Sequence, residues 1–563
     1  MNFDKLFELN KYITEVQHLT NKSDIFLVGG LVRDILLWNI NLDTEIAKLD
    51  LDFATSGSPD NIRNYLNNNK KKELSIFRTQ KYGTISIIDK NNKFEITPFR
   101  TETKYSDWRH PDEITWSDSI LLDSQRRDFT INCIYYTNYT FDSTNKNSEK
   151  EIITDILPNK PKQNEIVIDG KIIDKLTKQW YIYISTKNLL IVQDSQIITN
   201  IYDGKFNEKN LSIYIWKEST QIQIIIDPQK WIQDIFANKI KAVGSADDRF
   251  WEDALRILRA IRFTTNLPGF DIDPKTRKSM KKLYFLVRKL SKERIHEEIV
   301  KVFSGKNPFG YIAMLDELNL IKYIFPSVYN LKWLNQPVKY HPMDVWHHTL
   351  MVLKAWQELS QDYLVRLWCL YHDVGKTEQY YTHTFLEKED LEFLYGSWLN
   401  HINCGAEFAE EDFAKIGFSN SEIESISRYV RNHMKPWEIL MSKQENQPSK
   451  LRKLISQKWF EMTRNLVYIC LADRRGQFNP IQTKEVDEPR ELFDKINNIQ
   501  NTEWQFTIKN LAINWEILIS ELNLQPWPKL GELIKKSYKY VLDDLDRNDK
   551  GKLIKYCQKL LDK

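Results

Sequence analysis

A pair of glycines between an apolar strand-like run and an apolar helix-like run sets the first constraint on this chain. Ile25–Val28 reads as a strand. Gly29-Gly30 follows, and Leu31-Val32-Arg33-Asp34 leads into the helix-like run Ile35–Trp38. That order exposes backbone N–H groups at a helix N-terminus, a place suited to phosphate. Further on, Asp50-Leu51-Asp52 sets two carboxylates two residues apart. On a strand they share a face while Leu51 turns toward the core. Side-by-side carboxylates repel, so a purely structural reason for the pair is weak. A hard divalent cation resolves the repulsion, and Mg²⁺ favours such ligands. A third stretch, Arg126-Arg127-Asp128-Phe129, fits the same scheme. A phosphate cradle plus metal carboxylates points to phosphoryl or nucleotidyl transfer.

With 563 residues the chain is long enough for several domains. Its 80 basic and 77 acidic residues nearly cancel, which leaves room for a local basic face that meets nucleic acid. Five scattered cysteines form no CxxC pair and no disulfide framework, so a reducing, cytoplasmic setting is expected. Met1–Lys11 lacks a signal-peptide core, and no apolar run reaches transmembrane length.

The pattern predicts five segments. Residues 1–140 mix strands and helices; 49–54, 84–88 and 94–98 read as further strands. Residues 141–222 contain no alanine and alternate as strands do at Tyr181-Ile182-Tyr183-Ile184 and Ile213-Tyr214-Ile215-Trp216, a β-rich insertion with turns at Asp169-Gly170 and Asp203-Gly204. Helical periodicity then runs from 223 to the C-terminus. It divides into 223–335, 336–480 and 481–563, with a linker flanked by Pro326, Pro337 and Pro342 and a loop at 443–450.

Glu252–Arg262 reads as one helix with an apolar stripe at Ala254, Ile257, Leu258 and Ile261. Asp253 and Arg256, three apart, share another face. In isolation they are an ordinary ion pair. Beside a nucleotidyl-transfer site they have a second use. A carboxylate accepts from an exocyclic amine, and a guanidinium donates to a ring nitrogen or carbonyl. Such a pair accepts C and A and refuses U and G without a nucleic-acid template.

The motifs Gly-Gly-x-Val-Arg-Asp, Asp-x-Asp, Arg-Arg-Asp-Phe-x-x-Asn, Glu-Asp-x-x-Arg and Ser-Lys-Glu-Arg-Ile (291–295) stand in this order. In that arrangement the chain resembles the class II tRNA nucleotidyltransferases, the CCA-adding group that includes bacterial poly(A) polymerases. The resemblance implies an α+β, polymerase-beta-like head followed by helical neck, body and tail. It implies that Asp50 and Asp52 hold catalytic Mg²⁺ and that Gly29, Gly30 and Arg33 cradle the triphosphate. Arg126, Arg127, Asp128 and Asn132 match the motif near ribose and phosphates, and Asp253 and Arg256 match the residues that read the incoming base. CTP, ATP and tRNA are the implied partners. Tyr105–Pro111 sits where the family has the flexible loop that accompanies addition of the terminal A. Glu95 reads equally as a further carboxylate or as a surface glutamate.

His348, His372-Asp373, His401, His433 and Asp473 occur in the order of an HD-type metal site, and His348, His372, Asp373 and Asp473 are read as its ligands, a second divalent centre of unspecified metal. His401 and His433 read as helical histidines with local hydrogen bonds; His341 and His347 do not match. By resemblance such a domain carries phosphatase or 2′,3′-cyclic phosphodiesterase activity on RNA ends. Leu511–Leu561 resembles an RNA-binding tail, with Lys535, Lys536 and Lys539 placed for phosphates or simply solvated. The leading function is template-independent CCA addition. The alternatives are a poly(A) polymerase and, from another class, an HD phosphohydrolase with a degenerate RNA-binding head.

Glycine is scarce at 17 residues, equal to tryptophan. Trp38, Trp108, Trp231, Trp515 and Trp527 stand where the family has glycine. A codon read as tryptophan in place of glycine predicts exposed or strained indoles at these five positions.

Overall fold

The computed structural model of the chain describes residues 8–22, 24–37, 51–68, 74–78, 83–89, 92–103, 113–140, 180–185, 188–193, 196–200, 212–218, 221–229, 231–334, 343–357, 359–378, 401–476, 488–502, 506–524 and 528–562, with the backbone alone over 139–224. It divides into two compact units, Met1–Leu290 and Ser291–Lys563.

The first unit is built on an eight-stranded sheet. Its strands are β1 (Ile25–Val28), β2 (Leu51–Thr55), β3 (Leu74–Arg78), β4 (Ile85–Asp89), β5 (Asn92–Pro98), β6 (Tyr135–Thr140), β7 (Ser212–Glu218) and β8 (Gln221–Asp227), in the spatial order β7-β8-β6-β1-β2-β5-β4-β3. Every pair is antiparallel except β2 with β5. All four residues of β1 are buried, as its unbroken apolar run requires of a central strand. The Tyr135 ring packs edge to face against Phe26 of this strand and against Phe99, and the Phe26 and Phe99 rings tilt against each other. Two strands drawn from the predicted insertion, β7 and β8, extend this sheet, so the boundary at 222 falls inside β8. A separate three-stranded sheet, Trp180–Asn200, holds Tyr181–Ile184. The two predicted hairpin turns lie outside the described residues.

Behind the sheet, α1 (Gly30–Leu36) follows β1 directly, and α2 (Ile120–Gln125) is capped by the Ser119 hydroxyl. The stretch 252–262 is not one helix. Helix α3 (Ala246–Glu252) stops, Asp253 takes an extended conformation, and α4 (Leu255–Asn266) begins. The cause is local. The Asp253 carboxylate accepts from the Leu255 N–H and turns the chain between the helices. Ala254, Ile257, Leu258 and Ile261 are buried, as a single apolar stripe predicts.

The second unit is helical throughout the described residues. It includes α5 (Val345–Gln357), α6 (Tyr363–Tyr371), α7 (His401–Lys415), α8 (Asn420–Asn432), α9 (Gln447–Gly476), α10 (Trp515–Leu522), α11 (Pro528–Asp543) and α12 (Lys550–Leu561). Trp356, Trp368 and Tyr371 are fully buried at the centre of its first part. A separate cluster of Leu511, Ile513, Leu518, Leu530, Leu533, Val541, Leu553 and Cys557 forms the core of the C-terminal part. The loop expected over 443–450 ends early, because α9 starts at Gln447. Pro448 sits in the first turn, where its missing N–H costs nothing. Pro326 likewise opens a short helix, Pro326–Tyr329, while Pro337 and Pro342 lie outside the described residues. Among the described residues no helix is long and apolar enough to cross a membrane.

Trp515 is 57% exposed at the first turn of α10, as expected. Its backbone and that of Trp231 are helical, so neither position demands glycine for positive φ. Trp38, Trp108, Trp527 and the Trp231 side chain lie outside the described residues.

Candidate functional site

The first site forms where β1, β2 and β5 meet α1. Gly29 has φ +86° between strand and helix. A Cβ there would stand 3.8 Å from Asp52 Oδ2, so the glycine turn and the carboxylate face each other. Asp52 is exposed while its neighbours Leu51 and Phe53 are buried, the alternation a strand imposes. The parallel register pairs Asp52 with Glu95, which places both carboxylates on one face of the sheet. Glu95 also accepts from Lys93 at 2.6 Å. Asp50 and the stretch Tyr105–Pro111 lie outside the described residues.

Arg33 donates from Nε and Nη2 to both oxygens of Asp34, at 2.7 and 2.8 Å, and from Nη1 to the Asn132 side-chain oxygen at 2.7 Å. Two predicted residues distant in sequence are thus joined. Asn132 donates in turn to Asp128 Oδ1 at 2.9 Å. Arg259 donates to Asp128 Oδ2 at 2.7 Å. Burial alone would raise the Asp128 carboxyl; Arg259 and the Asn132 amide overcome that and lower it to about 2.

Arg126 and Arg127 share one buried anchor. Asp123 accepts from Arg126 Nε at 2.8 Å, from Arg127 Nη2 at 3.1 Å and from the Tyr135 hydroxyl at 2.7 Å. Against the effect of burial, the two guanidiniums hold Asp123 at about 2. Sequence reasoning passed over Asp123, although its i,i+3 and i,i+4 spacing to the arginines was a usable signal.

The Arg256 backbone N–H donates to the Asp253 carbonyl at 3.2 Å, and the Arg256 side chain reaches three further partners. Arg256 Nη1 donates to Glu252 Oε2 at 2.6 Å and to the Arg249 carbonyl at 3.0 Å. Its Nη2 donates to the Arg126 carbonyl at 3.1 Å. Glu252 ends α3 and Arg256 lies in the first turn of α4, so their ion pair spans the corner between the two helices. The Arg126 bond fastens the α3–α4 corner to the Arg126-Arg127 stretch.

The second site lies in the other unit. His348 Nε2 is 2.9 Å from Asp473 Oδ1 and 3.3 Å from His372 Nε2. His372 Nε2 is 3.2 Å from Asp373 Oδ2. All four predicted residues therefore converge. Lys376 donates to Asp373 Oδ2 at 2.6 Å. Burial opposes ionisation of Asp373, but Lys376 and the imidazoles hold its carboxyl well below the usual range. His401 and His433 join the cluster, with Nε2 atoms 3.2 Å apart and His401 3.7 Å from Asp373 Oδ1. The reading of these two as histidines with purely local bonds is corrected; they come from α7 and the end of α8, and no sequence spacing ties them to Asp373. Burial and the neighbouring imidazoles push His433 down to about 3. His347 instead turns to Asp344 on the surface.

Three protein-family profiles match in order. They are the poly A polymerase head domain over residues 25–156, the probable RNA and SrmB-binding site of polymerase A over 269–331, and the HD domain over 345–475. The CCA-adding enzyme of Leuconostoc citreum is 29% identical over 311 residues, 55% of this chain and 53% of that one. That of Latilactobacillus sakei is 30% identical over 50% of this chain and 47% of its own. The chain thus spans about half the length of these relatives in the matched region. The CCA-adding enzyme of Ligilactobacillus salivarius is 24% identical over 96% of this chain and 93% of that one. Among solved structures, the CCA-adding enzyme of Bacillus stearothermophilus in complex with CTP aligns at TM-score 0.55 and 17% identity, over 98% and 97% of the two chains. Fold and motif order define the class, a polymerase-type nucleotidyltransferase head with an appended HD domain. Along its length the chain is similar to tRNA nucleotidyltransferases and bacterial poly(A) polymerases.

Proposed function

We propose that the chain adds C, C and A to tRNA 3′ ends from CTP and ATP, without a template. The observation that carries this reading is the α3–α4 corner fastened by Arg256 to the Arg126 carbonyl. It sets a candidate base reader on the protein itself, in the unit that holds Asp52. The 3′-hydroxyl attacks the α-phosphate in line and pyrophosphate leaves. Asp52, with Asp50 and the in-register Glu95, offers hard oxygen ligands that fit Mg²⁺. Bound Mg²⁺ would lower the hydroxyl pKa and neutralise the leaving phosphates. Gly29 and Gly30 keep the approach to the triphosphate bare of side chain. Arg33, Arg126, Arg127, Asp128 and Asn132 form the braced floor for ribose and phosphates. Asp253 and Arg256 offer acceptor and donor to the base edge, and Glu252 positions Arg256.

Support for tRNA binding comes from the C-terminal part. A cavity of about 590 Å³ is lined by Lys453, Lys535, Lys536, Lys539 and Tyr556, among others. The Tyr540 and Tyr556 rings stack beside it, 4.0 Å apart. Lysines beside stacked aromatics suit an RNA backbone and an unpaired base. A cytoplasmic site of action accords with five free cysteines and a tRNA substrate. The HD cluster, with nitrogen and oxygen donors gathered and buried, fits a divalent cation and hydrolysis of phosphate esters at RNA ends.

The test is purified protein, Mg²⁺, tRNA lacking CCA, and each labelled nucleotide in turn. CTP and ATP should be incorporated, UTP and GTP refused. Arg256→Ala should relax the CTP-to-UTP ratio by about tenfold or more, the worth of roughly 1–3 kcal/mol of lost polar match. Long A tails on any RNA would instead mark a poly(A) polymerase. An unchanged base ratio would remove Arg256 from base reading.

A further inference from the structure

Helix α2 ends at Gln125, and carbonyls at a helix end have no N–H of the same helix ahead of them. Two guanidiniums from the α3–α4 corner meet these carbonyls. Arg249 Nη1 donates to the Gln125 carbonyl at 2.8 Å, and Arg256 Nη2 donates to the Arg126 carbonyl at 3.1 Å. The place of the Arg256 side chain therefore depends on how α2 ends.

Buried carboxylates fix that end. Asp123, in the last turn of α2, lies three and four residues before Arg126 and Arg127 and pairs with both. Its Oδ1 accepts from Arg126 Nε at 2.8 Å and lies 2.7 Å from Arg126 Nη2. Its Oδ2 accepts from Arg127 Nη2 at 3.1 Å and from the Tyr135 hydroxyl, on β6, at 2.7 Å. Glu102 comes from a different element, the short strand Arg100–Thr103, which pairs with Glu113–Trp116. Its Oε1 lies 2.7 Å from Arg100 Nε and 3.6 Å from Arg126 Nη1. The Asp123 side chain is 1% exposed and that of Glu102 is 7% exposed, so both charges are held away from water.

Such a cluster is a weak source of stability, because desolvation offsets much of the attraction between its charges. A satisfied buried network does hold its members to one arrangement. Reading a base edge needs that, since donor and acceptor must stand within about 0.5 Å of their places.

We propose that Asp123 and Glu102 are positioning residues for base selection. They clamp the Arg126 side chain, so that the end of α2 presents its carbonyls to Arg249 and Arg256 at one fixed place. Both act through Arg126 and Arg256, at one remove from the nucleotide. The role rests on the reading of Arg256 as a base reader given above. The competing role is an ion cluster that only holds the head together.

The test is equilibrium binding of CTP, UTP, ATP and GTP to the full chain with Mg²⁺ and without tRNA, so that no nucleotide is transferred. The parent should prefer CTP to UTP and ATP to GTP. Asp123→Asn should reduce both preferences by about three- to tenfold, the range of coupling between residues in one network. Arg256→Ala should reduce them as well, and adding Asp123→Asn to Arg256→Ala should change them no further. A purely structural cluster would instead weaken all four nucleotides alike. Preferences that stay at the parent level in Asp123→Asn would overturn the role, and so would effects that add in the double variant. A parent without preference would overturn the base reading itself and this role with it, and that result is visible before any variant is made. Where Asp123→Asn fails to fold, the milder Glu102→Gln decides. A reduction in the same direction supports the role, and parent-level preferences overturn it.

Discussion

Asp128 holds a predicted arginine-rich stretch to a helix more than a hundred residues away. It accepts from its own Phe129 N–H, from Asn132 and from Arg259. The order Arg126-Arg127-Asp128 and the Asn132 spacing were legible in the sequence. The Arg259 contact was not, because nothing local predicts which of three arginines on α4 meets Asp128. The same limit hid Glu252: its spacing to Arg256 was visible, but the adjacent Asp253 offered a rival partner, and only the break between α3 and α4 separates the two. A carboxyl at about 2 in the fold, against 3.8 in the unfolded chain, stabilises the fold above pH 4. That contribution is lost as pH falls through 3.8 toward 2, and amounts to roughly 2 kcal/mol. Asn at this position mimics the protonated acid. Scanning calorimetry should therefore find Asp128→Asn several degrees less stable than the parent at pH 6, with the gap about half as large at pH 3 and closing only below about pH 2. A gap that stays constant with pH would mean that the ion pair contributes nothing and that the loss is one of packing.

At the scale of elements, periodicity identified most strands and helices, and it failed where a side chain overrode it. Asp253 cut one apolar stripe into two helices without disturbing the stripe. Pro448, in a polar stretch that reads as loop, proved compatible with the first turn of α9. That helix joins two tasks. Asp473 near its end reaches His348, while its first turns grip the C-terminal part. Arg452 donates to the carbonyls of Leu542 and Asp543 at the end of α11, and Ser449 donates to the Asp543 carboxylate, which also pairs with Lys453. These bonds satisfy carbonyls that the end of α11 leaves open and set a cation where the helix dipole favours one. Arg452→Ala removes the grip and leaves α9 helical. Trypsin should then cut within 506–562 several-fold faster, while metal binding at the HD cluster stays at the parent level. Equal cleavage rates would show that the apolar cluster alone seats the C-terminal part.

Across the whole molecule, the sequence placed two ligand sets far apart, and the chain divides into two compact units with one set in each. Motif order made the division legible, since each motif is short and local. The edges were less so: β7 and β8 come from a stretch that alternates as an independent insertion would, and strand alternation carries no information about which sheet a strand joins. The histidines were legible only in part. An HD pair announces itself by adjacency, whereas His401 and His433 enter from separate helices. Ligand sets in separate units predict separable chemistry. Asp52→Ala should abolish nucleotide addition and leave divalent-dependent hydrolysis of a 2′,3′-cyclic phosphate on RNA unchanged. Asp373→Ala should do the reverse, since the head keeps its carboxylates, its glycine turn and its arginine floor. Both variants should hold tRNA at near-parent affinity, because binding rests on basic groups elsewhere. The measurement is a two-by-two comparison of labelled CTP incorporation and cyclic-phosphate opening, with Mn²⁺, Co²⁺ and Ni²⁺ each tried in the second assay. If Asp373→Ala also stops incorporation while tRNA binding persists, the units are coupled in catalysis. If the parent opens no cyclic phosphate with any of the three ions, the HD cluster acts on another phosphate ester or holds its metal for structure alone.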